Sequence, residues 1–461
     1  MARVRRALAP ALMLGVAALA LSAARARLAA ARSFDRPAPR MAAPDQRDRV
    51  LVVAPHPDDE SVPCGGLIAT AVGRGAQVRV VYATYGDAFR TAAQKIFSES
   101  SVPSRDYLKL AEMRHREALA ALAKLGVASS QAVFLGYPDR GIDRMWLSNW
   151  RLDSPYASPY TGTSTGPYRD SFRAGRPYAG RALLDDLEAV ISGFGPTLVV
   201  APHPLEIHVD HWGTYCFTAA ALYELGLLDR VDLQLYLVHP ANKWLSPARR
   251  LLDPTTPPAQ TDEVKTQWKT LALDEDAARR KREAINEHQS QLLIMRDFLL
   301  NFARQRELYG QVPMGQLPGL PAESLRLTKD SQWRGLPVVW MRSGKGRSEG
   351  PAPSANILSV GAARAMDKVF VRIELAQKPS PKVQYRIHLH TLAHRRVSQP
   401  RNYTLQPGRR CPGAGFRAVG RSLEVVLPET DKSVDGIMLA VDTRRGETEL
   451  DHTGWTVLRS R

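Results

Sequence analysis

The chain has 461 residues, enough for two or three domains of ordinary size. Its 44% hydrophobic and 24% charged content is that of a folded globular protein and excludes a disordered one. The formal charge of +17 sits at the two ends: residues 1–40 hold eight Arg against one Asp, residues 361–461 hold 18 Lys or Arg against 10 Asp or Glu, and the middle is nearly neutral.

The chain opens MARVRR, followed by an apolar stretch from Ala7 to Ala24. A positive segment, an apolar segment and small residues at Ser22-Ala23-Ala24 read as a cleaved signal peptide, with an uncleaved single-span anchor as the alternative. No Cys follows closely, which argues against a lipoprotein. The expectation is a secreted, periplasmic or cell-surface protein whose residues 1–40 stand apart from the fold.

Residues 50–240 alternate between strand-like and helix-like patterns. The strand-like runs are Val50–Ala54, Val78–Ala83, Ala132–Leu135, Thr197–Ala201 and Leu233–Val238. Leu108–Leu125, Arg181–Ser192 and Trp212–Leu225 carry apolar residues at helical spacing. Such alternation implies βαβ units and a mostly parallel sheet, so the fold class is α/β. Residues 143–180 break the rhythm with Trp146, Trp150, Tyr156, Tyr160, Tyr168, Phe172 and Tyr178 set among Pro, Gly, Ser and Thr. A loop this long either serves function or packs down onto the domain; its rings suit stacking on sugar faces in the first case. Residues 262–310 read as a long charged helical stretch, including Ala277–Leu299. Residues 311–355, rich in Pro, Gly and Ser, read as a linker. Beyond it, Lys368–Leu375, Val383–Leu392, Leu423–Leu427, Ile437–Val441 and Trp455–Leu458 form short alternating runs, which predict a small C-terminal all-β, sandwich-like domain over 356–461. Its basic charge suits an anionic polymer or membrane surface, or simple solvation. Nucleic acid is not an expected partner.

Two clusters carry chemistry. Ala54-Pro55-His56-Pro57-Asp58-Asp59-Glu60 follows the first strand-like run. His203-Pro204-Leu205-Glu206-Ile207-His208-Val209-Asp210-His211 follows the fourth. Ligands in open parallel sheets bind beyond the carboxyl ends of strands, so both clusters belong to one site. His56 and Asp59, three apart in a tight turn, can face one point, and an imidazole of the second cluster completes a two-histidine, one-carboxylate site with an open position. Asp58 then points at water, and Asp210 can orient an imidazole through its second ring nitrogen. Cys64, Cys216 and Cys411 form no CxxC pair, which indicates neither a disulfide framework nor a thiolate zinc site. His388, His390 and His394 are a weak second metal candidate, two of them on one strand face.

The pair His56-Pro57-Asp58-Asp59-Glu60 and His208-Val209-Asp210-His211 resembles the motifs of the PIG-L / LmbE-like N-acetylglucosaminide de-N-acetylases. The resemblance extends to Thr84-Tyr85-Gly86-Asp87, Arg114…Glu117-Ala118, Leu135-Gly136-Tyr137-Pro138-Asp139 and Lys281-Arg282…Gln291, and spans roughly residues 48–300. It implies a Rossmann-like α/β domain over 48–310. It further implies that His56, Asp59 and His211 bind zinc, that Asp58 is the general base, that His208 supports the transition state beside Asp210, and that Arg114 and Asp139 contact substrate. Iron or cobalt suits the same ligands. The implied reaction is hydrolysis of the N-acetyl group of an N-acetylhexosamine unit, with a cell-surface or extracellular glycan as the expected substrate. The alternatives are a small N-acetyl-sugar conjugate or another amide, and a catalytically silent carbohydrate-binding protein.

Overall fold

The computed structural model describes residues 38–240, 257, 264–320, 333, 335–341, 352–365, 367–428 and 433–460. The expected leader therefore lies outside the described residues but for 38–40. Among the described residues no helix is long and apolar enough to cross a membrane.

The first sheet has the order β3-β2-β1-β4-β5-β7-β6. Strands β1 (Arg49–Ala54), β2 (Gln77–Thr84), β3 (Ala132–Tyr137), β4 (Leu198–Pro202) and β5 (Asp232–Tyr236) run parallel. β1 is apolar on both faces because both are covered. Val50, Val52 and Ala54 pack in one cluster with Leu67, Leu122 and Ile285. Leu51 and Val53 pack in another with Leu187 and Leu222. The helices supplying those partners are α1 (Gly65–Gly73), α3 (Ser104–Leu125) and α7 (Glu275–Glu287) on one face, and α5 (Gly180–Phe194) and α6 (Val209–Glu224) on the other; α2 (Arg90–Phe97), α4 (Ile142–Leu147) and α8 (Gln289–Asn301) complete the set. The expected α/β class is what the structure shows. The strand order reverses between β1 and β4, and a crevice opens beyond their carboxyl ends.

The charged stretch at 262–310 is not one helix. Two strands, β6 (Gln267–Ala272) and β7 (Arg306–Gln311), pair antiparallel on the edge of the sheet and enclose α7 and α8. The Asp274 side chain stops β6 and starts α7 by accepting from the Ala277 N–H at 2.8 Å. These edge strands alternate too little to stand out beside the helical periodicity next to them.

The all-β part holds two further sheets. One runs β15 (Gly415–Val419), β16 (Ser422–Pro428), β11 (Lys368–Leu375), β10 (Ile357–Ala365), β9 (Val338–Met341); the other runs β13 (Arg396–Val397), β12 (Gln384–Ala393), β17 (Val434–Arg445), β19 (Thr456–Arg459), β8 (Gly315–Gln316), with β14 (Arg401–Leu405) paired to β12 and β18 (Thr448–His452) to β17. Strand alternation built this core: Val369, Val371, Ile373 and Leu375 of β11 are all fully buried, facing Ile387, Leu389, Leu439 and Val441. Each such side chain contributes about 1.5–3 kcal/mol relative to exposure. Segments 315–316 and 338–341, expected in a linker, are strands of these sheets; Gly315 and Gln316 pair in parallel with Leu458 and Arg459. Much of the basic charge is paired internally, as Arg372–Glu374, Arg386–Asp442 and Arg417–Glu424.

The aromatic loop is packed down. Trp146 and Tyr178 are fully buried, and Trp150 and Tyr168 nearly so. Trp146 lies against Trp150, Phe217, His390 and Trp455, where the β part meets the α/β part. His390 reaches the carbonyls of Ser398 and Trp146, while His388 lies between Asn402 and Asp442. The two rings share a face but serve different partners, and neither belongs to a group of convergent metal donors among the described residues.

Asp442 is held between His388 Nε2 at 2.6 Å and a two-pronged Arg386. Burial pushes its carboxyl up, but His388 and Arg386 outweigh burial and hold it down at about 2. A lowered carboxyl stabilises the fold above its unfolded value of roughly 3.9 and loses that contribution as pH falls toward 2. Asp442→Asn is therefore expected to lower stability by about 2 kcal/mol at pH 6, with the deficit shrinking below pH 4. Urea midpoints at both pH values check this, and a deficit independent of pH would contradict it.

Candidate active site

The segment after β1 turns sharply, and Asp58 has φ +142°, in the region that favours glycine. Hydrogen bonds lock the Pro57–Asp58 peptide at both ends. The Pro57 carbonyl accepts from Arg114 Nη2 at 2.9 Å and from Gln291 Nε2 at 2.7 Å. The Asp58 N–H donates to Glu60 Oε2 at 3.0 Å. Glu60, fully buried, is fixed in turn by Ser61 Oγ at 2.6 Å and His288 Nε2 at 2.9 Å. Asp58 is thereby aimed into the crevice, with Arg114 Nη2 at 3.6 Å from its Oδ1. Burial pushes its carboxyl up to about 6, against the pull of Arg114. Gly86 leaves room for this clamp, because a Cβ there would stand 2.2 Å from Arg114 Nη1.

Asp59 turns the other way. Its Oδ2 lies 3.4 Å from His56 Nδ1 and 3.4 Å from His211 Nε2. The far nitrogens of both rings are directed at carboxylates. His56 Nε2 meets Asp210 Oδ2 at 3.1 Å and faces Asp139 Oδ1 at 3.5 Å. His211 Nδ1 faces Glu206 Oε1 at 3.5 Å. In the neutral rings a proton on each of those nitrogens leaves the nitrogen facing Asp59 to present a lone pair. Two lone pairs and a carboxylate converging in a buried space fit a divalent cation, and a His/Asp donor set of this kind suits zinc. Two groups of donor atoms each lie within 4.8 Å of one another throughout, ring nitrogens of His56, His208 and His211 and donor atoms of His56, Asp139 and Asp210; Asp59 reaches the first of these through His56 and His211. Burial disfavours charge on His56, but Asp139, Asp210 and Asp59 raise it well above the usual imidazole range. A proton and a metal ion compete for such a site.

Asp210, fully buried, does not face open space. Besides His56 it accepts from the Arg140 N–H at 2.7 Å and the Ile142 N–H at 3.1 Å. It positions His56. Glu206 was not assigned a role from sequence, yet it accepts from the N–H groups of Val238 and His239 and backs His211. His208 is the N-cap of α6: its Nδ1 accepts from the Asp210 N–H at 3.3 Å, which leaves the proton on Nε2. Burial, reinforced by His56 and His211, holds His208 well below the usual imidazole range, so it is a neutral donor. Asp139 accepts from the Ala88 N–H at 2.8 Å, and its own N–H donates to Asp87. Arg114 and Asp139 both line the crevice while holding protein groups. Asp87, pushed up to about 7 by burial and by Asp139, accepts from Tyr168 Oη at 2.5 Å. That contact is how the aromatic loop reaches the site.

The crevice has a volume of about 180 Å³. Its floor is His56, Asp58, Asp59, His208 and His211, and Met295, Phe298 and Leu299 of α8 form a wall. The arrangement offers a cation site, an aimed carboxylate and a neutral N–H donor around one space, the requirements for adding water to an amide.

Residues 51–222 match the family model described as PIG-L: GlcNAc-PI de-N-acetylase, so the resemblance read from the two motifs holds over that stretch. A relative from Mycobacterium sp. (strain KMS), 1D-myo-inositol 2-acetamido-2-deoxy-alpha-D-glucopyranoside deacetylase, is 34% identical over 176 residues, 38% of this chain and 50% of its own length. The protein of that name from Mycobacterium leprae (strain Br4923) is 33% identical over 187 residues, 40% of this chain and 53% of the relative. The chain thus spans about half the length of the curated relatives it matches. Among solved structures, the A40926 pseudoaglycone deacetylase is 20% identical at TM-score 0.37, covering 57% of this chain and 96% of that one. The N,N'-diacetylchitobiose deacetylase from Pyrococcus horikoshii is 20% identical at TM-score 0.36, covering 57% and 84%. The expected secreted, periplasmic or cell-surface location is corrected: the matched relatives are named as deacetylases of a small inositol glycoside, and among the described residues no helix is long and apolar enough to cross a membrane.

Proposed function

We propose that this chain is a zinc-dependent amide hydrolase that removes the N-acetyl group from an N-acetylglucosamine-type unit of a small glycoside. The observation that carries the reading is the convergence of His56 Nδ1, Asp59 Oδ2 and His211 Nε2 beside the aimed carboxylate of Asp58. The names of the matched relatives support a single sugar unit rather than a long polymer.

His56, Asp59 and His211 would hold the ion. When bound, it supplies a Lewis acid that polarises the amide carbonyl and makes water more acidic. Asp58 takes a proton from the attacking water and returns it to the departing nitrogen. The Nε2–H of His208 donates to the oxyanion that forms on the carbonyl. Arg114 and Gln291 hold the Asp58 backbone in place through Pro57, and Asp210 and Glu206 fix the two histidine rings. Acetate and a free amino sugar leave.

Acetate release from an N-acetylglucosaminyl glycoside, from N,N'-diacetylchitobiose and from long chitooligosaccharides tests this. Zinc-stimulated release that is fastest on the single-unit glycoside is the expected result. Release only from the long oligomers would overturn the small-substrate reading. Silence on all of them with an ion bound would overturn the N-acetyl-sugar reading itself.

A further inference from the structure

The crevice is two-sided. Arg114, Asp139 and the exposed Arg140 line one side. Ala88 and Phe89 stand beside them, and the remaining lining is apolar: Met295 and Phe298, partly exposed, with Val62, Val238 and Leu299, almost fully buried. Helix α8 is broken at Met295, with φ −135° and ψ 44°. Phe298 and Leu299 follow at three and four residues, and all three side chains line the same wall. The wall is continuous with the reacting centre: the Phe298 ring stacks on His239 at 5.7 Å, and His239 meets His211 at 4.9 Å and His208 at 5.7 Å. An acetyl group brings one methyl to this surface. Met295 and Phe298 are the two of these side chains partly open to the crevice, and together they present more apolar surface than one methyl covers.

Resting on the amide-hydrolase reading above, we propose that the acyl half of the scissile amide lies along this wall and that the preferred substrate is an amino sugar bearing an unbranched N-acyl chain longer than acetyl. The amino sugar then faces the polar side, where Arg114, Asp139 and Arg140 meet its hydroxyls. In the reaction the acyl C–N bond breaks, water oxygen bonds to the acyl carbon, one water proton ends on the amine, and a short fatty acid is released. Each methylene laid on the wall is expected to improve transition-state binding about fourfold until the wall is covered.

The test uses the full chain loaded with zinc and a series of N-acetyl, N-propionyl, N-butyryl and N-hexanoyl glucosaminides. A rise of kcat/KM with chain length, lost in Met295→Trp, which fills the space, and in Met295→Glu, which charges it, is the expected result. A kcat/KM that falls from acetyl onward overturns the proposal. Calorimetric binding of the same compounds separates the two readings. If no compound turns over, tighter binding of the hexanoyl compound still supports the wall while the hydrolase reading fails; equal binding of all four overturns the proposal as well.

Discussion

Asp58→Asn is expected to lower kcat about 10²- to 10⁴-fold while zinc content stays at the wild-type level. The magnitude is that of removing a general base. Metal retention is expected because Asp59, not Asp58, faces His56 Nδ1 and His211 Nε2, while the Asp58 carboxylate lies in the crevice near Arg114. The residue sits at φ +142° and stays there because Arg114, Gln291 and Glu60 hold its peptide at both ends. A strained conformation stabilised from three directions places a carboxylate more firmly than a relaxed turn would. Asparagine fits the same volume, so thermal stability should change little. Single-turnover acetate release with metal analysis on the same sample checks both halves. Loss of metal together with activity would make Asp58 a ligand.

Asp210→Ala is expected to weaken zinc binding about 10- to 100-fold, with a smaller loss of turnover once zinc is saturating. Asp210 touches no open space and acts through His56, whose Nε2 it meets at 3.1 Å. It also ties down the turn at Arg140 and Ile142. Without it the imidazole is free to rotate and its Nδ1 is a weaker base. Zinc titration against a competing chelator reads the affinity directly. Asp210→Asn, whose single amide oxygen can keep only one of the two backbone contacts, should recover part of the turn and part of the affinity. An unchanged zinc affinity in Asp210→Ala would remove the positioning role.

The chemistry was legible in the sequence because it is local. His56, Asp58 and Asp59 fall within four residues, and so do His208, Asp210 and His211. The pattern of apolar runs located β1 and β4, and both clusters begin at their carboxyl ends. What joins the clusters is long-range and left no local trace. Asp210 reaches His56 across 154 positions because β4 pairs beside β1. Gln291 reaches Pro57 across 234 positions; the family resemblance included it, but its part in a backbone clamp has no local signature. Glu206 stood inside the second cluster, yet its work depends on the backbone of Val238 and His239, one strand further on. The aromatic segment at 143–180 left two readings open, and for Trp146 and Tyr178 the structure shows packing: both are core residues, and Trp146 joins the α/β and β parts. Segments 315–316 and 338–341 looked like linker because short edge strands rich in Gly or flanked by Pro carry too few alternating positions to register.

The most direct test is the position of the ion. Anomalous diffraction at the zinc edge from crystals of the zinc-loaded chain locates it without reference to activity. The expected result is one ion bonded to His56 through Nδ1, to Asp59 and to His211 through Nε2, at about 2.0–2.2 Å, with Asp58 and His208 beside it. An ion bonded to His56 through Nε2 together with Asp139 and Asp210 would contradict the assignment, since those donors also lie close together and the roles given to Asp58 and His208 would then have no centre to act on.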